Sequence, residues 1–148
     1  MMATAREIAE RHLPDPEWPV AQPFWDGCRV GELRFPRCRD CGRWVWYPAA
    51  TCSGCGGADH VWTAVGGRGR IFTWVRVHRA FLPGYEGRVP FVSALVALDE
   101  DPALRVATFL RDVPPDGPRV GMPVEVTFEA VDERVTLPVF RCVSDTRR

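Results

Sequence analysis

Hydrophobic positions change their spacing along the chain. Near the start they recur at helical intervals. Ala5, Ile8, Ala9 and His12 share one face behind a capping box in which Thr4 and Glu7 each satisfy an orphan backbone N–H. Pro14 ends this helix, and Pro14, Pro16 and Pro19 make a stiff linker. A second short helix is expected around Phe24, Trp25 and Cys28, closing near Gly31. Both are only weakly apolar, so they are expected to pack on the rest of the chain.

From about Gly67 the spacing becomes that of strands. Ile71, Thr73, Val75 and Val77 alternate with Phe72, Trp74, Arg76 and His78. The run 91–98 is apolar on both faces, and a third run covers 104–110. Val124, Val126 and Phe128 alternate with Glu125, Thr127 and Glu129, and a last run covers 135–141. Pro138 in that run cannot donate to a ladder, which predicts an edge or barrel-closing position. Five such strands between glycine and proline turns predict a mainly β chain ending in a small closed barrel, and the OB-fold is the common five-stranded form. The expected division is an N-terminal helical segment over 1–31, a metal ribbon over 32–66, the barrel over 67–142 and a tail over 143–148. Gly66, Gly67 and Gly69, interleaved with Arg68 and Arg70, read as the bend between ribbon and barrel. They lack the lysine and hydroxyl of a phosphate loop.

Between helices and barrel lie Cys38-Arg39-Asp40-Cys41-Gly42 and Cys52-Ser53-Gly54-Cys55-Gly56. Two intervening residues let one tight turn aim both sulfurs at one ion. The glycine after each pair can adopt positive φ, bringing backbone N–H groups toward the thiolates. Cys38, Cys41, Cys52 and Cys55 therefore supply the tetrahedral set that zinc prefers, one ion per chain. Iron accepts the same four sulfurs and stays open as an alternative, whereas a redox dithiol would show one pair before a helix. Four thiolates close the coordination sphere, so the role is structural. His60 is redundant as a ligand, and Cys28 and Cys142 read as buried hydrophobes. The gap from Gly42 to Thr51 leaves room for a hairpin arm through Trp44, Val45, Trp46 and Tyr47.

Composition narrows the function classes. Hydrophobic residues make up 46% and charged residues 26% of 148 positions, enough apolar content for a packed core. Net charge is zero, which counts against a nucleic-acid surface. All 19 basic residues are arginine, so a lysine Schiff base is excluded. The first residues carry both charges without an apolar run, so no secretory signal is expected, and no stretch reaches the length of a membrane span. A cytoplasmic location follows, where thiols stay reduced. The stretch 76–91 is the most unusual loop, with three arginines, His78 and several aromatics. It reads either as a groove for a flat or phosphorylated ligand or as a hairpin loop packed on the barrel end or a partner. His12, His60 and His78 have no companion serine or acid in a triad, so no catalytic residue is expected.

These features occur together, in order, in a known family. Pro23-Phe24-Trp25 is followed by Gly31-Glu32-Leu33-Arg34, the two cysteine knuckles and Tyr47-Pro48. The hairpin from Val77-His78-Arg79 to Val89-Pro90-Phe91 comes next, then Gly121-Met122-Pro123-Val124 and Leu137-Pro138-Val139-Phe140-Arg141. The chain resembles the thiolase-associated proteins that join a rubredoxin-like zinc ribbon to an OB-fold, long classed as a domain of unknown function. Arg39-Asp40 and Ser53-Gly54 depart from the family pattern inside the knuckles, without touching the ligands.

The resemblance implies a non-catalytic accessory subunit. Its partner would be a thiolase-like or aldolase subunit, in some cases beside a hydratase. Acyl-CoA would be the substrate, with sterol side-chain degradation as one setting, and the OB-fold would help hold or admit it. Catalytic residues would belong to the partner. The expected CoA- or partner-binding set is Trp74, Arg76, His78, Arg79, Phe81, Tyr85 and Arg88. Strand alternation predicts Ile71, Thr73, Val75 and Val77 inward and Arg76 and His78 outward, with Arg79 and Arg88 flanking the turn at Gly84 and Gly87. The alternative is a zinc-ribbon and OB-fold nucleic-acid binder, kept open by Trp74, Arg76 and His78 on one strand face.

Overall fold

In the computed structural model, residues 13–143 are described. The expected helix on Ala5, Ile8, Ala9 and His12 lies outside them. The second helix, α1 (Gln22–Arg29), forms where expected, with Pro23 in its first turn. Gly31 at φ 77° ends it. Its N–H donates to Cys28 O at 3.2 Å, and that of Glu32 to Gly27 O at 2.9 Å, the paired bonds of a Schellman stop. Gly27 has no room for a side chain, because a Cβ would sit 2.6 Å from Glu32 O.

Strands β1 (Leu33–Cys38) and β2 (His60–Val65) pair antiparallel, Leu33 opposite Val65 and Cys38 opposite His60. The arm at 44–47 folds back antiparallel along β1, as a short hairpin through the first knuckle: Trp44 bridges Arg37, and the N–H groups of Cys38 and Val45 donate to Arg43 O and Pro36 O, both at 2.8 Å. Trp46 then leaves β1 to pack on Phe24 and Phe35 at 4.9 and 4.7 Å between ring centres. Gly66 and Gly67 make the bend into the barrel, where a Cβ on Gly67 would strike Val126.

The remaining strands are β3 (Arg68–Val77), β4 (Phe91–Leu98), β5 (Asp101–Arg111), β6 (Pro123–Ala130) and β7 (Thr136–Cys142). They close in the order β3-β4-β5-β7-β6, the five-stranded barrel expected of an OB-fold. β7 pairs antiparallel with β6 and parallel with β5, the latter only at Phe140 and Arg141. Pro138 thus precedes the parallel ladder, where its missing N–H breaks no bond, and β7 is the closing strand.

The alternation expected along β3 holds at Ile71, which is buried, and fails beyond it. A β-bulge at Phe72 shifts register between Ile71 and Thr73. One extra residue reverses every later side chain. Trp74 then shares a face with buried Ala94 and is half-buried, while Thr73 and Val75 are exposed on the outer face; Arg76 lies opposite buried Val92 yet stays exposed, as expected, and Val77 is half-buried. Val75, predicted inward, is 57% exposed.

The main core is larger than the barrel. Phe24 and Cys28 of α1 and Leu33 and Phe35 of β1 belong to the same buried cluster as Ile71, Val96, Leu110 and Phe140. The knuckles have only a small separate cluster of Cys38, Val45 and Cys52.

Candidate functional site

The two knuckles are built alike. Gly42 and Gly56 both sit at φ 76°, the conformation expected after each pair. Gly42 N–H donates to Cys38 O at 2.9 Å and Gly56 N–H to Cys52 O at 2.8 Å. The cores Cys38 and Cys52 are buried, while Cys41 and Cys55 face outward. All four Sγ atoms lie within 4.8 Å of one another, and the cross-knuckle pairs Cys38–Cys55 and Cys41–Cys52 stand at 3.6 Å. Zn–S bonds of about 2.3 Å in a tetrahedron require sulfurs roughly 3.8 Å apart, so the set fits one ion.

The electrostatics call for a cation. N–H groups of Cys55 and Gly54 draw the Cys52 thiol down to about 6. The Gly57 N–H favours the Cys55 thiolate in the same way, but contact with Cys38 and Cys41, burial and Cys52 together push it up to about 12. Four crowded sulfurs cannot all ionise unless a metal holds the charge. The knuckles also face each other: the Arg43 side chain lies against Gly54 and the Asp40 carboxylate against Gly57. His60 Nε2 is 2.9 Å from Gly57 O and stands outside the ligand set.

The seven residues expected to bind CoA or a partner do not form one site. Arg79, Phe81 and Tyr85 meet around a cavity of about 280 Å³, completed by Val77, Leu82, Phe91 and Phe109. Tyr85 packs on Phe91 and Phe109 at 5.7 and 6.4 Å. Arg79 lies over Phe81, whose ring is 77% exposed. The bulge separates Trp74 and Arg76 from this group. Arg76 stacks 5.9 Å over Trp74 and approaches Gly117 in the loop after β5. His78 is exposed and Arg88 half-buried, its N–H donating to Tyr85 O at 2.9 Å; neither lines the cavity.

Sequence reading missed a larger cleft of about 650 Å³. Its walls come from three places: the proline linker and α1 (Pro14, Trp18, Phe24, Trp25), the arm (Trp46, Tyr47, Pro48), and the barrel wall (Ser93, Ala107, Phe109, Leu137, Pro138). The density of tryptophan and proline at 14–25 and 44–48 was the available signal, but nothing in the sequence joins those segments to β5 and β7. Ser93 Oγ donates to Thr108 O at 3.1 Å, and Thr108 Oγ1 to Phe109 O at 3.0 Å, so neither hydroxyl addresses a base. Among the described residues, no helix is long and apolar enough to cross a membrane.

Comparison with known proteins agrees with this architecture. Residues 25–61 match the rubredoxin-like zinc ribbon domain of ChsH2, and residues 62–129 match the ChsH2 C-terminal OB-fold domain. A "Probable enoyl-CoA hydratase alpha subunit" of Thermomonospora curvata is 33% identical over 80% of this chain. The "3-oxo-4,17-pregnadiene-20-carboxyl-CoA hydratase alpha subunit" of Mycobacterium tuberculosis is 37% identical over 71%. The chain spans about a third of the length of these two relatives, 36% and 32% respectively. Among solved structures, a chain of "Ltp2-ChsH2(DUF35) aldolase" superposes with TM-score 0.75 and 29% identity, over 89% of this chain and 98% of that one. A DUF35 protein of unknown function from Sulfolobus solfataricus shares the fold, at TM-score 0.59 and 12% identity over 85% and 87%. With both domains matched in tandem and four cysteines placed for one metal ion, the chain belongs to the ChsH2-type DUF35 family of zinc ribbon and OB-fold proteins.

Proposed function

We propose that this chain is a non-catalytic accessory subunit of a thiolase-like or aldolase enzyme acting on acyl-CoA, in the degradation of sterol side chains. The observation that carries this reading is the likeness to a chain of the Ltp2-ChsH2 aldolase, which covers nearly all of both chains. The relative named for a pregnadiene-carboxyl-CoA hydratase supports a steroid thioester as the substrate. The hydroxyls at the larger cleft, Ser93 and Thr108, are bonded to backbone carbonyls, which supports leaving the chemistry to the partner. The zinc ribbon then has a structural task, holding the arm and β1 against the barrel. Six cysteines, none in a disulfide and four of them placed for a metal, favour a cytoplasmic location.

Arg79 and Arg88 stand on the loop we assign to the CoA phosphates. Arginine pairs with phosphate through two parallel hydrogen bonds. Losing one such contact costs about 1.5–3 kcal/mol, roughly ten- to a hundredfold in affinity. The test is to express the chain alone, the thiolase-like subunit alone, and both together. Retro-aldol or thiolytic turnover of a steroid-CoA thioester is expected only from the mixture, which should co-elute. Turnover by this chain alone at the rate of the mixture, or failure to co-elute with any thiolase-like subunit, would overturn the reading.

A further inference from the structure

We propose that the 650 Å³ cleft binds the uncharged hydrocarbon body of an acyl-CoA thioester. The volume falls within the roughly 300–1,000 Å³ of small-molecule sites. The assignment of a thioester rests on the accessory reading above; the affinity for hydrocarbon does not.

Charge is the first argument. Among the described residues, no arginine or histidine lines the cleft, and the one charged side chain is Asp15. Its carboxylate is already engaged, accepting the Glu17 N–H at 3.0 Å with Arg134 4.0 Å away. An anionic phosphate would meet repulsion here and no partner, whereas an apolar ring or chain loses nothing. Phosphates have a better place nearby. Phe109 lines both the cleft and the smaller cavity that carries Arg79. A ligand with one charged and one apolar end can therefore cross Phe109, with its head near Arg79 and its hydrocarbon in the cleft.

Preorganisation is the second argument. Trp18 is half-exposed and Tyr47 largely so, which leaves apolar surface in water. The walls do not collapse onto each other because each is anchored separately. Phe24 ties α1 into the main core, Trp46 is wedged between Phe24 and Phe35, and the third wall is the barrel sheet. A ligand that fills the gap removes this surface from water without first ordering the protein.

The test uses the zinc-loaded full chain and two uncharged probes, progesterone for a fused-ring body and n-decanol for a linear one, with CoA alone as the charged control. Trp18, Trp25 and Trp46 line the cleft, so intrinsic fluorescence reports occupancy. Ala107 is exposed on β5 and lines the cleft, so Ala107→Phe narrows it without entering the core. Ala103→Phe, exposed on the same strand outside the cleft, is the control. Saturable quenching by progesterone, by n-decanol or by both is expected in the wild type and in Ala103→Phe, and none that CoA reproduces. Ala107→Phe should weaken binding at least tenfold with zinc content and Tm unchanged. Progesterone alone would assign fused rings; binding of both probes would assign acyl chains in general. Absence of saturable binding by either probe, or equal affinity in Ala107→Phe, overturns the proposal. Co-elution with the thiolase-like subunit is measured on the same variants. If Ala107→Phe abolishes assembly while the wild type binds neither probe, the cleft is a protein interface: this proposal fails and the accessory reading stands. If the probes bind but no such subunit co-elutes, the accessory reading fails and the hydrocarbon site remains.

Discussion

The knuckles and the barrel are held together by different forces. Around the four sulfurs the buried apolar residues amount to Val45 and two of the cysteines themselves. Short turns, glycines and crossed contacts from Arg43 and Asp40 supply the rest. The barrel instead buries Ile71, Val96, Leu98, Val124 and Phe140 almost completely. Between them, Leu33 and Phe35 draw the inner end of β1 into the barrel's cluster. The boundary of stability thus falls within the ribbon, since metal organises its tip and hydrophobic burial its base.

The largest expected effect tests that boundary. Structural zinc contributes apparent binding free energies of about 10–16 kcal/mol in small zinc modules at neutral pH. Chelation, or Cys41→Ser, should therefore melt the knuckles while leaving the barrel amides protected. Hydrogen exchange checks this by region, and metal analysis should give one zinc per chain. Loss of barrel protection together with the knuckles would break the comparison, and a folded metal-free ribbon would remove its basis.

Phe140 sharpens the other side. It is fully buried where β7 closes on both neighbours. Phe140→Ala should cost about 3–5 kcal/mol in denaturant unfolding with zinc still bound.

Cys28 marks the shared core. Burial pushes its thiol up to about 12 from an ordinary 9.0. The folded value is the higher one, so the unfolded chain loses this proton first as pH rises. The contribution is intact below about pH 9 and is lost progressively toward pH 12. Stability measured across that window should fall less steeply in Cys28→Ala than in wild type. Equal slopes would show that the thiol ionises in place.

The smallest effect lies on the barrel surface. Arg111 holds Glu129 through two bonds of 2.9 and 2.8 Å, at a partly exposed site. A double-mutant cycle on this pair should give a coupling of about 0.2–1 kcal/mol. A larger value would mean that ion pairing, as well as burial, holds the closing strands.

The cysteine spacing determined the metal site by itself, because a tight turn with glycine behind it has one low-strain geometry, and Gly42 and Gly56 both adopt it. Helix α1 and the five barrel strands were also legible, since periodicity and proline or glycine stops are local properties. Pro138 even indicated the closing strand. The tertiary structure alone decided the direction of side chains after Phe72. Alternation cannot reveal an extra residue, and only pairing with β4 shows that Trp74 turns in and Val75 out. It also made the 44–47 arm an aromatic strap, carrying Trp46 onto Phe24 and Phe35 in contacts that no local pattern encodes. The cleft belongs to the same class. Its walls are far apart in sequence and meet only when the linker, the strap and the barrel pack, so no local pattern encodes the space between them.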